Sequence, residues 1–123
     1  RNGRVMALVY QKGILVNEVL IKTGLAQYQR DGESQTKRMK AASDYARENS
    51  IGIFSPLCYQ TEPEDPKCAI KGNYDERKAK QWYFTPSCPY YSNVIVQKHQ
   101  GDNWFCTVKE AKKAGFTKSP NCK

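Results

Sequence analysis

Five cysteines, at positions 58, 68, 88, 106 and 122, are the residues with the most chemistry to offer in this chain. Thiolates either hold a metal or join as disulfides, and structural zinc sites bring their ligands in close pairs such as CxxC. No such pair occurs, so disulfides are the better reading, which points to an oxidising compartment and leaves one cysteine over. His99, the only histidine, stands in a polar stretch (residues 97–102) that reads as a turn, and to ligate a metal it would need thiols beside it. Trp82, Tyr83, Tyr90, Tyr91 and Trp104 interleave with Lys78, Lys80 and Lys98. That pattern serves single-strand binders, which stack bases on aromatic rings beside phosphate-neutralising lysines. In a segment with so few aliphatic residues the same aromatics also have a core to fill.

Twenty Lys and Arg against twelve Asp and Glu give a net charge of +8 over 123 residues. Such a balance favours polyanionic partners through counterion release and steering, and serves solubility equally well. No apolar run approaches the roughly 20 residues that a membrane span requires, and no leader pattern stands at the start, so neither a membrane nor a targeting segment is expected.

The elements that must position these residues fall into two groups. Residues 5–10 (VMALVY) form a short apolar run rich in β-formers, Gln11-Lys12-Gly13 supplies a turn, and Ile14-Leu15-Val16 returns, which predicts a β-hairpin. A hairpin by itself is marginal in water, so sheet partners for it are expected from outside this stretch. Asn17 is placed to cap a short helix that Gly24 ends. After a polar turn, Arg30-Asp31-Gly32-Glu33, the Gly- and Pro-free stretch 34–49 predicts the longest helix, with Met39, Ala42 and Ala46 as an apolar stripe and Tyr45 beside it. Ile51-Gly52-Ile53-Phe54-Ser55 then returns across an apolar surface. Residues 56–67, with three prolines and three acids, read as a linker. Beyond it, three short strands are expected around residues 68–72, 81–84 and 103–106, followed by a helix over 108–114 that Thr107 caps, with Glu110 completing a capping box and Gly115 closing the helix.

Five blocks in the first group occur in order: Gly3-Arg4 before a strand ending in Tyr10; the turn at Gly13; Val16-Asn17-Glu18 opening a helix; Gly24-Leu25-Ala26 closing it; and a long helix running into Ile51-Gly52-Ile53-Phe54-Ser55. In this, residues 1–55 resemble the staphylococcal nuclease (thermonuclease) family, an OB-fold barrel of strands and helices. The resemblance implies hydrolysis of DNA or RNA phosphodiester bonds with a Ca²⁺ ion held by carboxylates, a Glu acting on water, and two arginines on the phosphate. Arg4 matches the second of those arginines, and its planar fork of donors suits phosphate oxygens. The carboxylates, the Glu and the first arginine precede the Gly-Arg block in the family's order, so none maps onto this chain. Asp31, Glu33 and Asp44 lie in the loop and helix that follow and read as surface carboxylates. Tyr28, just after Gly-Leu-Ala, matches the family's aromatic position beside the nucleotide, at a shorter spacing, and a packing role fits it as well. Asn17 and Gly24 read as cap and turn.

The second group resembles the Ada-type cysteine-zinc domain in Phe84-Thr85-Pro86-Ser87-Cys88-Pro89 and in Glu110-Ala111-Lys112-Lys113-Ala114-Gly115-Phe116, a segment that runs on to Cys122. Phe84 and Ser119 stand where two of the four zinc thiols belong, so a four-cysteine site is incomplete. The resemblance implies instead that Cys88 and Cys122 face each other as a disulfide. With it goes a second expected bond, Cys68 to Cys106, which leaves Cys58 unpaired or bonded outside the chain.

The expected architecture is therefore α+β: residues 1–55 as the C-terminal half of a staphylococcal-nuclease-like OB-fold barrel (a β-hairpin plus two helices), 56–67 as linker, and 68–123 as a small disulfide-rich α+β module. The expected function is part of a secreted or periplasmic calcium-dependent nuclease whose catalytic carboxylates lie elsewhere, in the missing N-terminal half of the barrel or on another chain. The alternative is a non-catalytic module binding nucleic acid or protein. DNA that is cut only in the presence of Ca²⁺ separates the first from the second.

Overall fold

The computed structural model describes residues 3, 5–29 and 34–123, and the chain divides into two compact units, Arg1–Ser55 and Pro56–Lys123. Among the described residues no helix is long and apolar enough to cross a membrane.

The first unit opens with a hairpin much shorter than the apolar run predicts: β1 (Tyr10–Gln11) pairs antiparallel with β2 (Ile14–Leu15). Lys12 and Gly13 form its two-residue loop, both at positive φ, the loop type whose twist matches the flanking strands. Residues 5–9 lie in no strand, although the Val9 carbonyl accepts from the Val16 amide at 2.8 Å. Asn17 bonds to the same stretch, and this corrects its expected role as a cap. Helix α1 (Val16–Lys22) begins two residues earlier than a cap at Asn17 would have it, with Leu15 at the cap position, and the Asn17 side chain reaches backward: its Oδ1 accepts from the Val9 amide at 2.8 Å and its Nδ2 donates to the Ala7 carbonyl at 3.1 Å. A side-chain amide carries the same donor and acceptor as a peptide, so it stands in for a neighbouring strand.

Helix α2 (Thr36–Glu48) buries the predicted stripe, Met39, Ala42 and Ala46, together with Ser43, and leaves Tyr45 half exposed under the Lys22 ammonium, 4.9 Å from the ring centroid. Arg38 of α2 pairs with Glu18 of α1. The chain then leaves through a 3-10 turn, Gly52–Phe54, with the Ile53 amide bonded to the Gly24 carbonyl at 3.0 Å. Gly24 and Gly52 touch backbone to backbone, both at positive φ; a Cβ on Gly52 would lie 2.8 Å from the Gly24 Cα. Only residues without Cβ permit that approach.

In the second unit, residues 56–67 are not a bare linker. Within them β3 (Tyr59–Gln60) pairs antiparallel with β6 (Val96–Gln97), and the Cys58 carbonyl accepts from the Lys98 amide at 2.8 Å. Gln60 is buried, donating to the Pro56 carbonyl and accepting from the Trp104 indole at 2.8 Å. Prolines and acids disfavour regular structure in isolation, but two residues with a buried anchor suffice to add a strand pair.

The central sheet runs β7 (Asn103–Phe105), β4 (Ile70–Asp75), β5 (Lys80–Phe84), β8 (Thr117–Lys118), antiparallel except for the parallel β5–β8 edge. Its register sorts the side chains into two layers. Ile70, Tyr83 and Phe105 lie on one face with Ala111 of helix α3 (Val108–Lys113) and Phe116; Phe105 and Phe116 meet edge to face at 5.1 Å. Lys71, Trp82, Phe84 and Trp104 lie on the other, where Cys88, Cys122, Tyr91 and Val94 cover them. Thr107 caps α3, accepting from the Glu110 amide at 3.1 Å, while the Glu110 carboxylate reaches back to the Cys106 amide at 3.0 Å.

Candidate nucleic-acid interface

Among the sequence-predicted site residues, Arg4 lies outside the described residues, as do Asp31 and Glu33. Tyr28 is described and is half-buried. Its ring packs against Ile21, Met39 and Ala42, and its hydroxyl is a buried side-chain atom without a hydrogen-bond partner among the described residues. Stacking on a base therefore competes with packing that already occupies the ring, whereas the hydroxyl is chemically unspent. Asp44 is ion-paired with Lys40 one helical turn away at 2.7 Å, as a surface carboxylate would be.

The first unit exposes large apolar side chains in a run: Val5, Met6, Val9 and Tyr10 ahead of the hairpin turn, Ile14 after it, and Val19 and Leu20 on α1, with Val5 92% and Leu25 73% exposed. Apolar surface left in water costs roughly 25 cal/mol per Å².

In the second unit the cysteines are joined as Cys68–Cys106 and Cys88–Cys122, and Cys58 is free and partly buried. The four positions that a four-thiol zinc site would use are close to one another: Phe84 packs on Cys88 and Cys122, and the Ser119 carbonyl accepts from the Cys122 amide at 3.0 Å. A disulfide and a ring fill the space. No group of three or more His, Cys, Asp or Glu among the described residues could hold a metal, and His99 sits exposed in the 3-10 turn Lys98–Gln100.

The aromatic face expected to bind single strands is largely the core of this unit. Tyr83 is buried against α3, the Trp104 indole is bonded to Gln60, and the Tyr91 hydroxyl donates to the Ala69 carbonyl at 2.6 Å. Of the five aromatics, Tyr90 is the exposed one.

Sequence reasoning missed the buried charges of this unit. Lys71 is 2% exposed. Its ammonium donates to the Tyr91 and Val94 carbonyls at 2.9 and 2.6 Å and lies over the Tyr91 ring at 4.2 Å and the Trp104 ring at 5.6 Å. The two carbonyls flank the 3-10 turn Tyr91–Asn93, so the lysine acts as an internal cation clamping that loop to the sheet, with cation–π contacts worth about 1–2 kcal/mol. Asp102, also buried, accepts from the Asn73 side chain and from the Tyr74 and Gln97 amides, tying β4 to β6. The apolar–polar alternation of residues 68–72 assigns Lys71 to a wet face. No local signal says that the opposite face of the sheet is covered as well.

Burial holds the Tyr91 phenol above its ordinary 10.0 and the Lys71 ammonium below its ordinary 10.5. The folded state keeps the Tyr91 proton to higher pH, so that contribution is whole below the ordinary tyrosine value and is lost as pH climbs past it. Lys71 runs the other way, favouring the folded state more as pH rises toward 10.5. Tyr91→Phe should therefore cost about 1 kcal/mol at neutral pH, the worth of its bond to Ala69. Its deficit against the parent should shrink above about pH 10. Urea melts followed by tryptophan emission at both pH values check this, and a deficit that stays constant would show that Tyr91 carries no proton linkage.

Residues 1–56 match the family model described as staphylococcal nuclease homologue. No curated protein and no solved structure matches the chain.

Proposed function

From the match of residues 1–56 to the staphylococcal nuclease homologue family, we propose that this protein is part of a calcium-dependent nuclease that hydrolyses phosphodiester bonds of DNA or RNA, with the second unit as a disulfide-held appendage. The observation that carries this reading is the family match together with a hairpin whose apolar residues lie uncovered. Val5, Met6, Val9, Tyr10 and Ile14 are the side chains that the remaining strands of a barrel would cover. Those strands are the other half of the domain, on a preceding segment or on a second chain.

Arg4 is assigned as the phosphate clamp. A guanidinium gains most where charge builds on the equatorial oxygens during displacement, because its two N–H groups reach two oxygens at once. Tyr28 is assigned beside the nucleotide, its unpartnered hydroxyl being the group it can offer. The described residues do not fit a calcium site: Glu18 and Asp44 are already paired with Arg38 and Lys40, and no cluster of ligands occurs. Calcium ligands and the group acting on water therefore belong to the complementary half, and no catalytic step is assigned to residues of this chain beyond phosphate contact. Two disulfides support a secreted or periplasmic location.

The test mixes the chain with DNA in millimolar Ca²⁺, with and without chelator. Salt-sensitive binding that weakens in Arg4→Ala, with little or no cutting, is the expected result for this chain alone. Chelator-sensitive cutting abolished by Arg4→Ala would show that the chain is a complete enzyme. Absence of any nucleic-acid binding at low salt would sink the reading, and binding indifferent to Arg4 would favour the alternative, a non-catalytic binding module.

A further inference from the structure

Helix α3 in the second unit carries a single-signed ridge. Val108 and Ala111 point at the sheet, Ala111 being fully buried. At about 100° per residue, Lys112, Lys109 and Lys113 then follow one another around one side of the helix, within an arc of about 100°. The lone acid of the helix, Glu110, lies about 60° beyond Lys113 at the edge of that arc, and its carboxylate is turned back to accept from the Cys106 amide. Lys118 adds to the same face of the unit: in the β5–β8 register it pairs with Tyr83, whose side chain lies on the α3 face of the sheet. All four lysines are exposed and, among the described residues, none is in an ion pair. Side chains at i, i+3 and i+4 of a helix stand about 5–6 Å apart, so Lys109 lies beside both Lys112 and Lys113 and the three charges form one cluster.

We propose that Lys109, Lys112, Lys113 and Lys118 form a phosphate-tracking surface by which the second unit holds the sugar–phosphate backbone of the nucleic acid on which the first unit is proposed to act. The mode follows from what surrounds them. The aromatics of this face, Tyr83, Phe105 and Phe116, are buried, so no ring is presented for base stacking. The contact is with backbone charge alone, indifferent to sequence and open to duplex as well as single strands. The inference rests on the nuclease reading for its partner, but it names a surface that the nuclease segment does not contain.

The test uses the full chain and measures binding of a labelled DNA duplex over a range of salt. Each lysine that neutralises a phosphate contributes about 0.9 to the slope of log K against log salt. The variant Lys109→Gln/Lys112→Gln/Lys113→Gln should lower that slope by about 2–3 and bind roughly a hundredfold more weakly near 0.1 M salt, converging on the parent at high salt. A charge-matched control, Arg77→Gln/Lys78→Gln/Lys80→Gln, removes as many exposed charges from the β4–β5 turn and from the opposite face of the sheet, and should change the slope by less than 1. Equal effects in the two variants would mean that net charge alone is at work and would overturn the proposal. So would a triple α3 variant that binds as the parent does while Arg4→Ala weakens binding; in that case the nuclease reading survives and this surface does not. Binding of anionic lipid vesicles through the same lysines, with no binding of DNA, would overturn both.

Discussion

Gly24→Ala should unfold the Arg1–Ser55 unit. Its Cβ would lie 2.8 Å from the Ile51 carbonyl carbon and 2.9 Å from the Gly52 Cα, at a backbone φ of +67°. These neighbours are backbone atoms, so no rotamer change relieves the overlap. The loop after α1 and the exit from α2 must separate, breaking the Ile53 amide bond to the Gly24 carbonyl. The left-handed conformation costs about 1 kcal/mol for alanine, the lost hydrogen bond about 1 more, and the displaced backbone about 1–3, a total of roughly 3–5 kcal/mol. That is a large share of the stability of any small unit. Gly13→Ala is the control, since φ there is +78° with nothing within 4 Å of the added carbon, and only the conformational cost of about 1 kcal/mol applies. Far-UV circular dichroism reads the comparison, because α1 and α2 supply most of the helix in the chain. A Gly24→Ala variant no less stable than Gly13→Ala would mean that the two backbones are not in contact.

Reduction of the disulfides should unfold the second unit and spare the first. Cys68–Cys106 closes a loop of 38 residues and Cys88–Cys122 one of 34. In the chain-entropy model each removes about 4 kcal/mol of freedom from the unfolded chain. A unit of this size has little margin to lose, and its two apolar layers are small. Both tryptophans of the chain, Trp82 and Trp104, lie in this unit, so indole emission follows it alone while helical dichroism follows mainly the other. Reductant should shift the tryptophan melt strongly and leave most of the helix signal in place. Cys68→Ser/Cys106→Ser alone should lose about 4 kcal/mol by the same argument. Intact mass should rise by four hydrogens on full reduction. Five free thiols before reduction would contradict both bonds.

Much of this was legible along the chain because local physics decided it. The α2 stripe at Met39, Ala42 and Ala46 followed from helical periodicity, the α3 cap from Thr107 and Glu110 three residues apart, and three strands of the second unit from short aromatic-rich runs between turns. The family resemblance of the first unit was readable for a similar reason: its blocks are turn glycines, a cap-like Asn and a Gly-Arg pair, each recognisable within a few residues, and the family model matches the same stretch. Where reading failed, a distant partner had overridden the local rule. Asn17 has the composition of a helix cap, but the Val9 amide and the Ala7 carbonyl lay within its reach, and it bonded to those instead. Residues 56–67 have the composition of a linker, but Val96 and Gln97 supplied an edge for Tyr59 and Gln60.

The sequence by itself determined the types of the longer elements and the basic charge, since each depends on residue identity or on neighbours within a helical turn. Only the tertiary structure decided that Lys71 and Asp102 are buried, that most of the aromatics serve as core, and that Lys118 stands on the face of the sheet that α3 covers. The reason is coverage. A strand's alternation says which side chains share a face, but whether that face meets water, a helix or a disulfide-bonded loop is fixed by chain segments tens of residues away.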